Sequence, residues 1–92
     1  MEQERFRPSL AVRASVSGDG LILLDVDGGL VLSSNVVGAR IWQLLEQRRT
    51  TREIAQQLVD DYAVPADRAL HDVQTFVTDL IARGLVAGDG PR

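Results

Sequence analysis

The hydrophobic periodicity of this chain changes once, at Ser34 and Asn35, and that change constrains the fold more than any other feature. Before it, apolar and polar residues alternate from Leu10 to Ser17, and a nearly continuous apolar run follows from Leu21 to Val26. After it, apolar residues recur every three or four positions. Alternation at period 2 is typical of strands, and recurrence at period 3.6 is typical of helices. The sequence therefore predicts a sheet followed by helices.

Glycine-rich turns divide the first part into three predicted strands. Residues 18–20 read Gly-Asp-Gly and residues 27–29 read Asp-Gly-Gly. Glycine supplies the positive φ that tight hairpins require. The strands that these turns separate are residues 10–17, 21–26 and 30–32. Because both connections are hairpins, we expect an antiparallel meander.

Three helices are predicted after the sheet. Ser34 or Asn35 can cap the first helix, which runs to about residue 47. Thr50 and Glu53 have the spacing of a capping box and open the second helix. The predicted inner face of this helix consists of Ile54, Ala55, Leu58, Val59 and Tyr62. The third helix spans about residues 66–83, and Gly84 suits a helix stop. The predicted fold class is α+β, with a three-stranded antiparallel sheet followed by three helices in the order βββααα, similar to a winged helix-turn-helix.

The length of 92 residues fits a single domain with one core. We expect residues 1–8 to be a flexible N-terminal segment, residues 9–87 to form the domain and residues 88–92 to be a flexible tail. No apolar run approaches the roughly 20 residues of a membrane span, and the first ten residues lack the apolar stretch of a signal peptide. We therefore expect a cytoplasmic protein with no membrane partner.

The residue types argue against a metal centre and against catalysis. The chain has no cysteine, and His71 is its only histidine. Asp25 and Asp27 begin like a calcium loop, but Gly29 stands where a third oxygen ligand is needed and Val36 where the glutamate is needed. We therefore expect no catalytic residue, no metal and no cofactor, and hence not an enzyme.

Residues 35–58 also look like the helix-turn-helix of a repressor. Arginines cluster at its turn, and Gln56 and Gln57 could contact base edges. Against this interpretation, acidic residues occupy the same short helix, the formal charge is -3 and the pI is about 4.9. Nucleic-acid binding draws on a basic face. We expect no nucleic-acid partner, and a helix-turn-helix DNA-binding regulator stays the alternative.

The predicted third strand is short, and an edge strand can bind an extended peptide through its unpaired amide and carbonyl groups. The third helix could form the floor of such a groove, because its apolar stripe is broader than one packing seam. Its candidate peptide-facing residues are Val73, Phe76, Val77 and Leu80, while Leu70 and Ile81 can serve the core. Internal packing of all six residues is the more usual arrangement for such a stripe.

An ordered set of residues resembles the PqqD-like family, the small RiPP precursor peptide recognition elements. The match covers about residues 9–87 and includes a pattern of the type "xxGaxIWxLL", then "T..EIa..L...Y.V", then "DV..F...L...GL". The matching residues are Asn35, Gly38, Ile41, Trp42, Leu45, Thr51, Ile54, Leu58, Tyr62, Val64, Asp72, Val73, Phe76, Leu80, Gly84 and Leu85.

The resemblance implies a non-catalytic protein that binds the leader segment of a ribosomally made precursor peptide. The leader would add as a strand beside the third strand and lie against the last helix. The implied peptide-binding residues are Gly29, Leu30, Val31, Leu32, Asp72, Val73, Phe76, Val77, Asp79, Leu80 and Arg83. Asp72, Asp79 or Arg83 would set the polar register.

The resemblance also implies partners. The chain looks most like the discrete leader-binding subunit of split lasso-peptide processing systems, which would deliver the leader to a separate leader peptidase. A PqqD-type peptide chaperone for a radical enzyme in quinone-cofactor biosynthesis is the near alternative.

Overall fold

Two antiparallel sheets and three helices make up the described residues, 4–25 and 31–88, of this computed structural model. The strands are β1 (Phe6–Pro8), β2 (Val12–Ser17), β3 (Gly20–Asp25), β4 (Val31–Ser34) and β5 (Val86–Gly88). The helices are α1 (Val36–Glu46), α2 (Thr51–Tyr62) and α3 (Ala66–Ala82).

The larger sheet has the order β2-β3-β4 and confirms the predicted meander. Ser17 pairs with Gly20 at the first hairpin, and Leu21 pairs with Ser34 across β3 and β4. Gly20 has φ +147°, and a Cβ built on it would overlap the carbonyl oxygen of Ser34. Glycine is therefore required where the first hairpin lies against the end of β4.

The smaller sheet was not predicted. β1 pairs with β5, with Phe6 opposite Gly88 and Pro8 opposite Val86, and Phe6 is only 2% exposed. Residues 6–8, which we expected to be flexible, are thus part of the folded domain, and the order is not a simple βββααα. The sequence pattern missed this sheet because each strand has three residues, too few to show a period, and because the pairing joins opposite ends of the chain.

Both predicted helix caps are confirmed. The Gly38 N–H donates to Asn35 Oδ1 at 3.0 Å and caps α1. At the start of α2, the Glu53 N–H donates to Thr50 Oγ1 at 3.1 Å, and the Thr50 N–H donates to Glu53 Oε1 at 2.8 Å. The donated Thr50 amide holds the pKa of Glu53 below its usual value, and Arg5 and Arg49 act in the same direction.

The core lies where α1 packs on β3 and where α2 packs on α3. Trp42, Leu45 and Ile54 are completely buried at its centre. Two assignments of helix faces were wrong. Tyr62, predicted on the inner face of the second helix, is 39% exposed, and Ile81, predicted to serve the core, is 41% exposed.

Candidate functional site

β4 is an edge of the larger sheet, because it pairs with β3 on one side and, among the described residues, with no strand on the other. Hydrogen-bonded and non-hydrogen-bonded pairs alternate along antiparallel strands, and the closing pair of a two-residue hairpin is bonded. Counting from the Ser17–Gly20 pair, we expect Val31 and Ser33 to direct their main-chain N–H and C=O groups away from β3. These groups are available to an added strand.

A cleft of about 520 Å³ lies at the end of β4, between the start of α1, the end of α2 and the first half of α3. Its floor is apolar and includes the buried side chains of Ile41, Leu58 and Ala69. Phe76 is partly buried and lines the cleft from α3. The cleft therefore continues the open strand edge into a space suited to an apolar side chain.

Polar groups surround this apolar floor. Asn35, Tyr62, Arg68 and Asp72 contribute to the lining. The Arg68 Nε and Asp72 Oδ2 atoms lie 3.8 Å apart, and both side chains are at least half exposed. A pair at this distance and exposure contributes little to stability, so both side chains are free to reorient toward a bound molecule without a large loss of folding free energy.

Gly38 keeps the three elements around the cleft close together. A Cβ built on Gly38 would overlap the side chain of Ser34, with Ser34 Cβ only 2.7 Å away, and would lie 3.5 Å from Phe76 Cε1. The end of β4, the first turn of α1 and the middle of α3 therefore meet at this residue. Because Ser34, Gly38 and Phe76 all line the cleft, a larger side chain here would change its shape.

The structure brings only some of the predicted peptide-binding residues to this site. Gly29 and Leu30 lie outside the described residues. Val31 pairs with Leu24 in the open-edge strand, and Leu32, beside it, is 9% exposed and faces the core. β4 therefore contributes its main-chain groups to the candidate site.

On α3, the predicted residues separate into two groups. Val73, Val77 and Leu80 are completely buried in the core, so they lie beneath the surface rather than on it. Asp72 and Phe76 line the cleft. Asp79 and Arg83 are exposed farther along the helix, where Arg83 Nε donates to Asp79 Oδ2 at 3.1 Å.

Sequence reasoning did not assign Asn35, Gly38, Tyr62, Val64 or Arg68 to the site. Four of them, all except Arg68, belong to the family-like pattern, and this membership could have identified them as candidate site residues. Periodicity assigned Tyr62 to the core because an aromatic ring at that spacing usually packs inward. The position of Arg68 beside the cleft depends on how α3 crosses α2, which no local pattern records.

The helix-turn-helix does not present a surface suited to reading DNA. Gln56 Nε2 donates to Asp60 at 3.1 Å, and Gln57 Nε2 donates to Asp61 at 2.9 Å. Asp61 also accepts from Arg40 Nε at 3.0 Å. The amides that could contact base edges are therefore bonded to carboxylates, which repel phosphate.

The part of the chain that the structure covers lacks two other classes of feature, a metal centre and a membrane-spanning helix. No group of three or more potential metal ligands occurs among residues 4–25 and 31–88. Within those same residues, every helix is too short or too polar to cross a bilayer.

Two solved structures with a similar fold are complexes with a leader peptide. The structure of TbiB1 in complex with the TbiA(beta) leader peptide is similar with a TM-score of 0.82 and 28% identity, over 92% of this chain and 99% of that chain. Lasso peptide synthetase B1 complexed with the leader peptide is similar with a TM-score of 0.82 and 28% identity, over 90% and 98%.

Sequence comparison identifies the family directly. No curated protein is significantly similar to the chain. The family described as coenzyme PQQ synthesis protein D (PqqD), however, matches residues 20–86, which is more than half of the chain. This range contains β3 and the elements that line the cleft, which are β4 and all three helices. The chain therefore belongs to the PqqD-like family of RiPP recognition elements, as its ordered motif predicted.

Proposed function

We propose that this chain binds the leader segment of a ribosomally synthesised precursor peptide and takes no covalent part in its modification. The leader adds as a strand to β4 and places an apolar side chain in the adjoining cleft. The observation that carries the proposal is the continuity between an open strand edge and a cleft with an apolar floor and a polar rim.

Strand addition is favoured by the way the elements around β4 pack. β4 packs against β3 and α1, whereas α3 packs mainly against α2 and β5. The end of β4 and α3 both line the cleft, so a strand added to β4 could run beside α3. In strand addition, main-chain hydrogen bonds supply affinity and neighbouring pockets supply specificity. The groups of Val31 and Ser33 would supply those bonds.

The cleft supplies the anchor. An apolar side chain buried there against Phe76 and Ile41 would contribute roughly 1.5–3 kcal/mol. Asn35, Tyr62, Arg68 and Asp72 could bond polar groups of the peptide at the rim. An anchor that combines an apolar body with a polar tip matches this lining better than a purely aliphatic one.

The remaining predicted residues of α3 receive distinct roles. Val73, Val77 and Leu80 hold α3 against the core, so they support Phe76 from below without needing to contact the peptide. Asp79 and Arg83 lie farther along the same helix and could contact a leader that continues past the cleft. Loss of either charge should therefore affect peptide register more than peptide anchoring.

We propose the lasso-peptide class, with delivery of the leader to a separate leader peptidase. Two solved structures with the same fold are leader-peptide complexes, and one of them is of lasso peptide synthetase B1, so their similarity supports this choice. Presentation to a radical enzyme, as a PqqD-type chaperone, remains the second candidate because the family match is to PqqD itself.

The experiment titrates the full chain into a fluorescently labelled leader from its cognate precursor and follows anisotropy. Saturable binding in the nanomolar to low-micromolar range, about −8 to −12 kcal/mol, is expected. The matched control is a leader of the same composition in scrambled order. Absence of binding to the leader, together with salt-dependent binding to duplex DNA, would contradict the proposal and support the DNA-binding alternative.

A further inference from the structure

The larger sheet has a second open edge, at β2. This strand pairs with β3 on one side and has no partner on the other among the described residues, and nearly all of it is exposed. Proteins usually protect such an edge with proline, a bulge, several charges or a covering element. β2 contains one charged residue, Arg13, and no proline. An edge of six residues with so little protection favours association.

We propose that β2 pairs with β2 of a second copy of this chain, giving a two-fold symmetric dimer with one continuous six-stranded sheet. This inference does not depend on leader binding. It uses the opposite edge of the sheet from β4, so both leader-binding edges lie at the outer ends of the dimer's sheet.

The main chain of β2 can form this pair without losing its bonds to β3. The alternation that starts at the bonded Ser17–Gly20 pair directs the N–H and C=O groups of Ala14 and Val16 away from β3. If the two strands run antiparallel about Ser15, Ala14 of each copy lies opposite Val16 of the other. Two such bonded pairs supply four main-chain hydrogen bonds.

Charge selects this register over its neighbour. Directly opposite residues share a face of the sheet, so a two-fold axis passes through a residue, and Ala14 and Ser15 are the two central residues of β2. Pairing about Ala14 would place the two Arg13 side chains diagonally, within mutual reach. Pairing about Ser15 places Arg13 opposite Ser17 of the other copy, beside the hairpin turn that carries the exposed Asp19, and does so twice by symmetry. The Ser15-centred register therefore gains two ion pairs in place of one repulsion.

Partly uncovered apolar groups would also gain cover. Val16 is 40% exposed, although it lies opposite the buried Leu21. In the dimer, Val16 would contact Ala14 of the second copy on the same face. An edge-to-edge contact of this length buries less than the roughly 1,000 Å² typical of stable complexes. The dimer is therefore weak and forms at high protein concentration.

Sedimentation equilibrium of the full chain tests the proposal. From micromolar to millimolar protein, the average mass should rise from the monomer value of 10.1 kDa toward twice that value. Arg13→Glu or Asp19→Arg alone should each weaken association about tenfold, since each replaces two attractions by two repulsions. The double charge swap should restore the association. If either single variant weakened association only by disturbing the structure, the double variant would not restore it.

Proline variants locate the interface. Ala14→Pro removes an outward-facing donor at an edge position that tolerates proline, and it should abolish the dimer. Ser33→Pro, on the β4 edge, should leave the dimer intact. A monomer at every concentration, or equal association of wild type and folded Ala14→Pro, would overturn the proposal. If Ala14→Pro fails to fold, the charge-swap series decides, and equal association of all four charge combinations would overturn it.

Discussion

At the scale of single residues, Phe76 links the fold to the proposed binding site. It projects from α3, packs partly against the core and lines the cleft. Its neighbours Val73 and Val77 are fully buried. The helix thus presents one aromatic side chain at a position where both the core and a ligand could contact it.

Truncation of Phe76 should weaken leader binding more than it weakens folding. Phe76→Ala is expected to cost about 1–3 kcal/mol of binding free energy, roughly a ten- to hundredfold rise in Kd, measured by anisotropy. Ile81→Ala on the same helix, 41% exposed and outside the cleft, is the matched control and should bind normally. Unchanged affinity in a folded Phe76→Ala variant would remove Phe76 from the site.

Gly38 provides a test with opposite predictions from helix propensity and from packing. Alanine in place of glycine ordinarily favours a helix by up to about 1 kcal/mol. Here the added Cβ would overlap Ser34, so Gly38→Ala should destabilise the protein by about 1–3 kcal/mol, measured by urea unfolding. Gly18→Ala, where a Cβ meets nothing within 4 Å, should stay within about 0.5 kcal/mol of wild type. Stabilisation by Gly38→Ala would contradict the close approach.

At the scale of elements, the caps were predictable and the short strands were not. Asn35, Thr50 and Glu53 signal helix starts through side chains that bond amides within three residues, so their pattern is local. The β2–β3–β4 meander was predictable for a similar reason, since each pairing joins strands that are neighbours in sequence. β1 and β5 pair residues 6–8 with residues 86–88, and three-residue strands at opposite chain ends carry no local signal.

The capping box of α2 should make stability depend on pH. The folded-state pKa of Glu53 lies below its usual value of 4.5, first because of the Thr50 amide. A group with a lowered pKa contributes stability above its unfolded pKa and loses it as pH falls through the folded pKa. The urea concentration at the unfolding midpoint should therefore decrease as the pH drops below about 4.5, and this decrease should be smaller in Glu53→Gln. Glu46→Gln, at the exposed end of α1, is the control and should show the same decrease of the urea midpoint as the wild type.

The smaller sheet should contribute substantially to stability despite its length. Phe6 is 2% exposed and belongs to the core cluster, so Phe6→Ala should cost about 3–5 kcal/mol, measured by chemical denaturation. Arg7→Ala, at the exposed middle position of β1, tests the strand without the core contact and should change stability little. An equally stable Phe6→Ala variant would show that residues 6–8 do not hold the domain together.

At the scale of the whole molecule, the sequence predicts which elements form the candidate site but not which of their side chains are exposed there. The open edge of the third predicted strand and the involvement of the last helix follow from element order and the family-like pattern. The sequence does not show which residues of the apolar stripe reach the surface, because all four share one side of α3. These residues are Val73, Phe76, Val77 and Leu80. The crossing of α3 over α2 and β5 buries three of them and leaves Phe76 beside the cleft.

The two open edges of the sheet allow one measurement to separate strand addition from every other mode of binding. Ser33 and Ala14 occupy exposed positions on opposite edges, β4 and β2. Each is expected to direct its amide outward, so proline at either position removes an unpaired donor and no bond to β3. The two variants should therefore be equally folded, which circular dichroism and urea unfolding can establish.

Leader-peptide anisotropy with these two variants is the most direct test of the proposed function. Ser33→Pro should raise the Kd for the leader about tenfold, since it removes one main-chain hydrogen bond of roughly 0.5–1.5 kcal/mol and its ring obstructs the strand edge. Ala14→Pro should bind the leader with wild-type affinity. Equal affinity of folded Ser33→Pro and wild type would contradict strand addition at β4.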